Sequence, residues 1–159
     1  MAIRSTVKTI VVKNEKILFI KYISDSDIVH YELPGGGQEL FEEMEDAAKR
    51  EFIEETGYQI KIIGFAAIAE EIFEDEELRR NYPNHVHRIH HIFRGELVST
   101  EINSDINYDH NQISSEWIPI HEVIKINLIP KNLKTNINRI LESEYPLYLG
   151  TNFENMNLK

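Results

Sequence analysis

Apolar and polar residues alternate in short runs along the first part of the chain, and that alternation predicts strands. Residues 4–13 (RSTVKTIVVK) and 16–22 (KILFIKY) are rich in β-branched and aromatic side chains, and Asn14 and Glu15 between them read as the turn of a hairpin. A polar stretch from Ser24 to Asp27 leads to the short run Tyr31, Glu32, Leu33, after which Pro34, Gly35, Gly36 and Gly37 require a loop. The period then changes. From Glu42 to Thr56 helix formers dominate without Pro or Gly, and Gly57 supplies the residue expected at a left-handed C-terminal cap. Residues 58–73 read as a strand interrupted near Gly64, residues 74–83 as a long acidic loop, and residues 85–99 as a further strand with a bend or tight turn at Gly95. After a polar loop through Gln112, Glu116 to Pro119 closes a strand. Pro130 then opens a second helix whose Leu133, Ile137, Ile140 and Leu141 fall on one face. The remainder, 151–159, is polar and expected to be a loosely ordered tail. The order of elements predicts the α/β class, a mixed β-sheet sandwiched between α-helices in a single domain over residues 1–150.

Composition narrows the function classes. At 159 residues, 42% hydrophobic and 28% charged, the chain is an ordinary globular domain rather than a disordered or fibrous one. It has no cysteine, which removes disulfides, zinc ribbons and thiol nucleophiles and is compatible with a reducing compartment. A net charge of -10 argues against broad binding of duplex nucleic acid, which rests on a basic face. A small phosphorylated partner stays open, because divalent cations can bridge carboxylates to phosphate oxygens. No stretch approaches the ~20 apolar residues of a membrane span, and the first residues lack the apolar core of a signal peptide. A cytoplasmic protein with no membrane association is expected, and a homodimer is one option for its assembly.

The chemistry concentrates in residues 34–58, a glycine loop running into the first helix. At ~3.6 residues per turn, Glu51, Glu54 and Glu55 share roughly a 100° arc, with the apolar stripe Met44, Ala48 and Phe52 at its edge. Three like charges beside a core repel one another, by about 0.2–0.5 kcal/mol per pair even when exposed, so a cation is expected among them. Oxygen-only ligands suit Mg²⁺ or Mn²⁺ better than zinc or copper.

The spacing Gly36-x5-Glu42-x7-Arg50-Glu51-Phe52-x-Glu54-Glu55-x-Gly57-Tyr58 is similar to the complete box of the Nudix hydrolases. Resemblance extends over roughly residues 4–142, although only the box is specific. Two positions depart from it: Phe41 stands where many members have glycine, and Tyr58 is bulky for the last apolar position. The resemblance implies that Glu51, Glu54 and Glu55, with the Gly36 carbonyl, bind Mg²⁺, with Mn²⁺ as a substitute. It implies that Glu42 and Arg50 brace the loop against the helix. It also implies hydrolysis of the diphosphate bond of a nucleoside diphosphate linked to X, a small-molecule nucleotide. A carboxylate must take the proton from water. Members often supply it from the loop before residues 113–118, which offers Asp105, Asp109, His110 and Gln112, with Glu116 as the first choice; Glu70 and Glu71 are comparable candidates.

Competing readings are simpler. The glutamates of an acidic helix can be plain solvated charge. His85, His87 and His91 share strand parity, and with His90 they invite a metal site or a nucleotide contact, although strand histidines without such a role are common. Trp117 reads as core rather than as a stacking platform. A nucleotide-binding sensor that does not cut its ligand is the rival function, and the intact box favours the enzyme. Neither of the family's substrate hints, for ADP-ribose or for dinucleoside polyphosphates, is matched at Phe73 to Glu77. Nucleoside triphosphates are therefore the first expectation, with ADP-ribose or nucleotide sugars as the alternative.

Overall fold

The computed structural model describes residues 2–24, 26–102 and 106–154. Its strands are β1 (Arg4–Lys13), β2 (Lys16–Ile23), β3 (Val29–Glu32), β4 (Ile60–Phe73), β5 (His87–Leu97), β6 (Gln112–Pro119) and β7 (Leu147–Glu154). The helices are α1 (Met44–Thr56), α2 (Glu76–Asn81) and α3 (Lys131–Glu142), with a 3-10 turn at Ile120–Lys125. The sheet runs β3-β2-β1-β5-β4-β7, and off this path β6 also pairs with β2. β1 with β5 and β4 with β7 are parallel pairs, and the remainder are antiparallel, so the sheet is mixed as expected.

Strand alternation divides the core between two faces. On one, Val7, Val11, Leu18 and Phe93 pack on Ala47, Ala48 and Phe52 of α1. On the other, Ile10, Ile17, Phe19 and Ile92 pack with Leu133, Ile137 and Ile140 of α3. Gly57 ends α1 at φ 73°, and its N–H bonds the Ile53 carbonyl. Trp117 joins the α1-side cluster, edge-on to Tyr58 at 6.2 Å, which gives the bulky box tyrosine its packing partner.

Three expectations change. Residues 74–83 contain α2, because Asp75 caps it by accepting from the backbone N–H groups of Glu77 and Leu78. Strand β5 passes through Gly95 without turning; a Cβ there would meet Thr9 Cγ2 at 2.9 Å, so the glycine serves close packing. Residues Thr151–Glu154 are strand rather than loose tail, pairing along β4 through Glu70 to Phe73. The irregularity near Gly64 is present as a shift in the β4–β5 register.

The sheet is split where the site lies. Between β1 and β2 only Val12 with Ile17 and Lys13 with Lys16 are paired. Lower down, the Pro34–Gly37 loop takes the place of a neighbouring strand: Val7 N–H donates to the Gly36 carbonyl and Thr9 N–H to that of Pro34, both at 2.9 Å.

Candidate active site

Glu51, Glu54 and Glu55 leave α1 toward this split in a gradient of burial. The Glu54 side chain is 41% exposed, Glu51 13% and Glu55 about 2%. Glu55 accepts from the Gly35 N–H at 2.7 Å and from the Tyr22 hydroxyl at 2.9 Å. Burial nevertheless outweighs these bonds and the attraction of Lys8, and pushes its carboxyl up to about 7. Burial raises the Glu51 carboxyl too, against the pull of Arg50. The Gly36 backbone is pressed so close that a Cβ would lie 2.5 Å from Glu51 Oε2, so any side chain here would push the Glu51 carboxylate aside.

Arg50 ties loop to helix. Its Nε and Nη2 grip both oxygens of Glu42 at 2.7 and 2.9 Å, and Nη2 also reaches the Gly37 carbonyl at 3.2 Å. Hydrogen bonds from Arg50, then from the Glu39 N–H, hold the Glu42 carboxyl down at about 2. The Arg50 Nη1 lies between Glu51 (2.9 Å) and Glu54 (3.3 Å). Among the described residues no three acidic or histidine side chains converge as a ready metal centre. The donor set still fits a hard cation: it is oxygen only, and two of its carboxyls are pushed toward the neutral form by burial that a cation would offset.

Opposite the acids stands a basic wall that sequence reasoning did not assemble. Lys8 is buried and donates to Glu32 Oε2 at 2.8 Å and to the Gly35 carbonyl at 2.7 Å. Burial would lower its ammonium, but Glu32 and then Glu55 raise it. Burial would likewise raise Glu32, but Lys8, with help from Arg88 and His90, holds it at about 2. Register aligns Arg4 with Arg88 and Thr6 with His90 across the parallel pair β1–β5. Arg4, Lys8, Arg88 and His90 line a cavity of about 200 Å³ together with Tyr22, Gly35, Gly36 and Asp109. A larger cavity of about 350 Å³ shares Glu32 and Arg88 with it and is walled by Phe73, Leu78, Tyr82, His85 and Val86. A signal for the wall exists in the sequence: positions 4, 6 and 8 are polar before Ile10, and 88 and 90 are polar before Ile92, each run on one strand parity.

Of the late acids, Glu116 is not brought to the cluster. It lies on the face of β6 opposite Trp117 and is taken by Lys21 at 2.9 Å, Tyr31 and Ser114. Asp109 is the residue of that loop which reaches the cavity; His110 is exposed, and Gln112 donates to the Glu55 backbone carbonyl at 2.8 Å. Asp105 lies outside the described residues. Glu70 pairs with His87 at 2.7 Å and with Thr151. Glu71 faces Arg88 and His90. The same-parity histidines form no shared centre: His85 bonds Arg4, His87 bonds Glu70, and His91 bonds the Thr6 carbonyl.

Comparison with known proteins agrees with this arrangement. The model of the NUDIX domain matches residues 3–140. A NUDIX hydrolase from Nitrosomonas europaea superposes with a TM-score of 0.70 at 20% identity, covering 86% of this chain and 87% of that one. The mutator MutT protein from Bacillus halodurans gives 0.68 at 20% identity over 99% and 94%. An ADP-ribose pyrophosphatase from Streptococcus suis gives 0.64 at 16% identity over 92% and 99%. With the family model spanning β1 to β6, α1 and most of α3, the chain belongs to the Nudix family.

Proposed function

We propose that the protein hydrolyses the diphosphate linkage of a nucleoside diphosphate joined to another group X, with nucleoside triphosphates as the first substrates to test and ADP-ribose or nucleotide sugars next. The observation that carries this is the shape of the cleft. A small cavity lined by Arg4, Lys8, Arg88, Asp109 and the Gly35–Gly36 backbone, against which Glu51 and Glu55 of α1 are held, shares Glu32 and Arg88 with a larger one that has apolar and aromatic walls. That division suits a ligand made of a charged phosphate chain and a less polar organic part.

Glu51, Glu54, Glu55 and the Gly36 carbonyl would hold Mg²⁺. When bound there, Mg²⁺ supplies charge neutralisation on the phosphates and an activated water. Arg50 keeps the glycine loop seated against α1. Arg4 and Arg88 bind phosphate oxygens on the far wall. Asp109, the late-loop carboxylate that lines the cavity, accepts the proton of the attacking water in this reading, which is supported by the engagement of Glu116 with Lys21. The molecule acts in the cytoplasm on small nucleotides; no helix among its described residues is long and apolar enough to cross a membrane.

The test is a panel of nucleoside triphosphates, ADP-ribose and nucleotide sugars, each incubated with Mg²⁺ and followed by identification of both products. Release of a nucleoside monophosphate with pyrophosphate, or with phosphoryl-X, is expected for one class and not from the Glu54→Gln variant. A protein that binds panel members yet cuts none, with Mg²⁺ or Mn²⁺, is a sensor and not the enzyme proposed here.

A further inference from the structure

The last turn of α1 has a second task besides presenting its acids. The final carbonyls of a helix find no partner inside it. Here the Gly57 N–H takes that of Ile53. The next two are taken by the loop before β6: Asn107 N–H donates to the Glu54 carbonyl at 2.9 Å, and Gln112 Nε2 to the Glu55 carbonyl at 2.8 Å. The loop that carries Asp109 is thus fastened to the backbone of two residues whose side chains belong to the acidic cluster.

Gln112 is buried, and its amide is used at both ends. While Nε2 reaches the helix, Oε1 accepts the Asp109 N–H at 3.2 Å, and the Gln112 N–H returns a bond to the Asp109 carbonyl at 3.0 Å. Asn111, at φ 67°, closes the turn between them. A backbone carbonyl can only accept and an N–H can only donate, so the bridge needs one donor and one acceptor on the same side chain. An amide of this length supplies both; a carboxylate supplies only the acceptor, and an apolar side chain supplies neither. Asp109, held this way, lines the small cavity with Gly35 and Gly36. Its charge also reaches α1: after burial, which is the main cause, Asp109 adds to the upward push on the Glu51 and Glu55 carboxyls.

We propose that Gln112 is a positioning residue for hydrolysis: its amide bridges the Glu55 backbone carbonyl and the Asp109 N–H, and so keeps the Asp109 carboxylate in register with the acids of α1. A base carried on a loop gains much from such a fastening, because a misplacement of about 1 Å can cost ~10²-fold in rate. The catalytic purpose rests on the proposed reading of Asp109 as the proton acceptor; the bridge itself does not.

Two measurements test it. The first is amide hydrogen exchange followed by NMR on metal-free protein, which needs no substrate. Gln112→Met should speed exchange at Asp109 and Asn107 by at least about tenfold, while amides in the middle of α1 keep their wild-type rates. Unchanged exchange at Asp109 overturns the bridge. The second is a double-variant cycle on turnover with saturating Mg²⁺, using ATP, ADP-ribose and UDP-glucose and reading the cycle on whichever is cut fastest. Asp109→Asn should lower kcat by at least ~10²-fold. Gln112→Met should lower kcat by at least about tenfold with KM within about threefold of wild type. Added to Asp109→Asn, it should change kcat by less than about threefold, because the amide acts only through Asp109. Equal losses on both backgrounds would make Gln112 a residue that merely holds the fold and overturn the proposal, as would a wild-type kcat in Gln112→Met. If Asp109→Asn keeps its turnover, or the wild type cuts none of the three nucleotides, the reading of Asp109 or of the hydrolysis has failed and the catalytic purpose falls with it, while the exchange result still decides the bridge. If Gln112→Met does not fold, Gln112→Ala, which leaves room for water beside both partners, carries both measurements.

Discussion

The two banks of the cleft are built by opposite means. The acidic bank comes from one contiguous stretch: the grip of Arg50 on Glu42 spans eight residues, and the bond from Gly35 to Glu55 spans twenty. The basic bank is assembled across the fold. Thr6 and His90 are 84 positions apart and meet only because β1 and β5 pair in parallel. A contiguous bank announces itself by spacing, because helix geometry alone decides which side chains share a face. A bank made by strand pairing is invisible until the register is known. The two also differ in how they manage charge: burial pushes the Glu51 and Glu55 carboxyls toward their neutral form, whereas the basic wall neutralises part of itself through Lys8 and Glu32.

The basic bank should break most severely. Lys8 is only 8% exposed, and replacing its partner by Glu32→Gln leaves a buried ammonium with the Gly35 carbonyl as its remaining strong acceptor. We expect a loss of about 3 kcal/mol at pH 7, the lower end for an uncompensated buried charge. The pH dependence has a definite sign. Glu32 sits at about 2 in the folded protein against an ordinary 4.5, so its contribution is complete above 4.5 and is lost as pH falls toward 2. Urea titrations from pH 7 to pH 2 should show a steep acid limb in the wild type and a shallower one in Glu32→Gln. The limb will not vanish, because Glu42 is held at about 2 as well. Equal limbs in the two proteins would remove the ion pair from the account of the basic bank.

The acidic bank should yield in activity rather than in folding. Glu54 is 41% exposed and its side chain bonds Arg50 among the described residues, so Glu54→Gln should change metal-free stability by no more than about 0.5 kcal/mol. Turnover should fall by at least ~10²-fold, comparable to about 2.7 kcal/mol of transition-state stabilisation. Chelator should abolish wild-type turnover and Mg²⁺ or Mn²⁺ should return it. A variant that melts normally and turns over within threefold of wild type takes Glu54 out of the catalytic set; full activity in excess EDTA does the same for the metal.

Most of the fold was legible, and the misses share a physical cause. β1, β2, α1, β4, β5 and α3 carry strong periodicity and were expected close to where they lie. Helix α2 was missed because six residues are too few for a periodic face, and its stability comes from the Asp75 cap and from Arg79 donating to the Phe73 carbonyl. The strand Leu147–Glu154 was read as a polar tail in its second half, because an edge strand paired on one side needs few apolar residues. In the site, the spacing of the box points to Arg50, Glu51, Glu54, Glu55 and Gly36, which the fold gathers around the glycine loop. The placement of Glu116 beside Lys21 and Tyr31 was not legible, since one step along a strand turns a side chain to the other face, and only the pairing of β6 with β2 says which face that is.

The brace between loop and helix offers a milder test of the acidic bank. Arg50→Lys keeps the charge but gives up the two-pronged hold on Glu42, and a single ammonium cannot reach Glu42 and the Gly37 carbonyl as a planar fork does. The expected cost is about 1–2 kcal/mol, that of one or two charge-assisted hydrogen bonds at a side chain 27% exposed. Chemical denaturation of Arg50→Lys, Glu42→Gln and the double variant should give non-additive losses, since both substitutions remove the same contact. Additive losses would mean that Glu42 and Arg50 act separately and that the box is held by something else.

The smallest effect concerns the departure at Phe41. In the turn Glu39 to Glu42, whose ends are tied by the Glu39 N–H to Glu42 Oε2 at 2.9 Å, Phe41 adopts φ 66°, the left-handed region where glycine is usual. Its ring is fully exposed and contributes no packing to offset the conformation. Holding a non-glycine residue there costs about 1–2 kcal/mol. Glycine would relieve that cost but gain freedom in the unfolded chain, which takes back about 0.4–1 kcal/mol. Phe41→Gly should therefore stabilise the protein by about 0.5–1 kcal/mol net, seen as a higher urea midpoint with an unchanged slope. Turnover should stay within threefold, because neither the Arg50 brace nor the glycine cradle passes through this side chain. If the variant is more stable yet its KM rises several-fold, the exposed ring meets the substrate and the strain is retained for that contact. If it is less stable, the turn is shaped by the phenyl ring and the left-handed backbone carries no cost here.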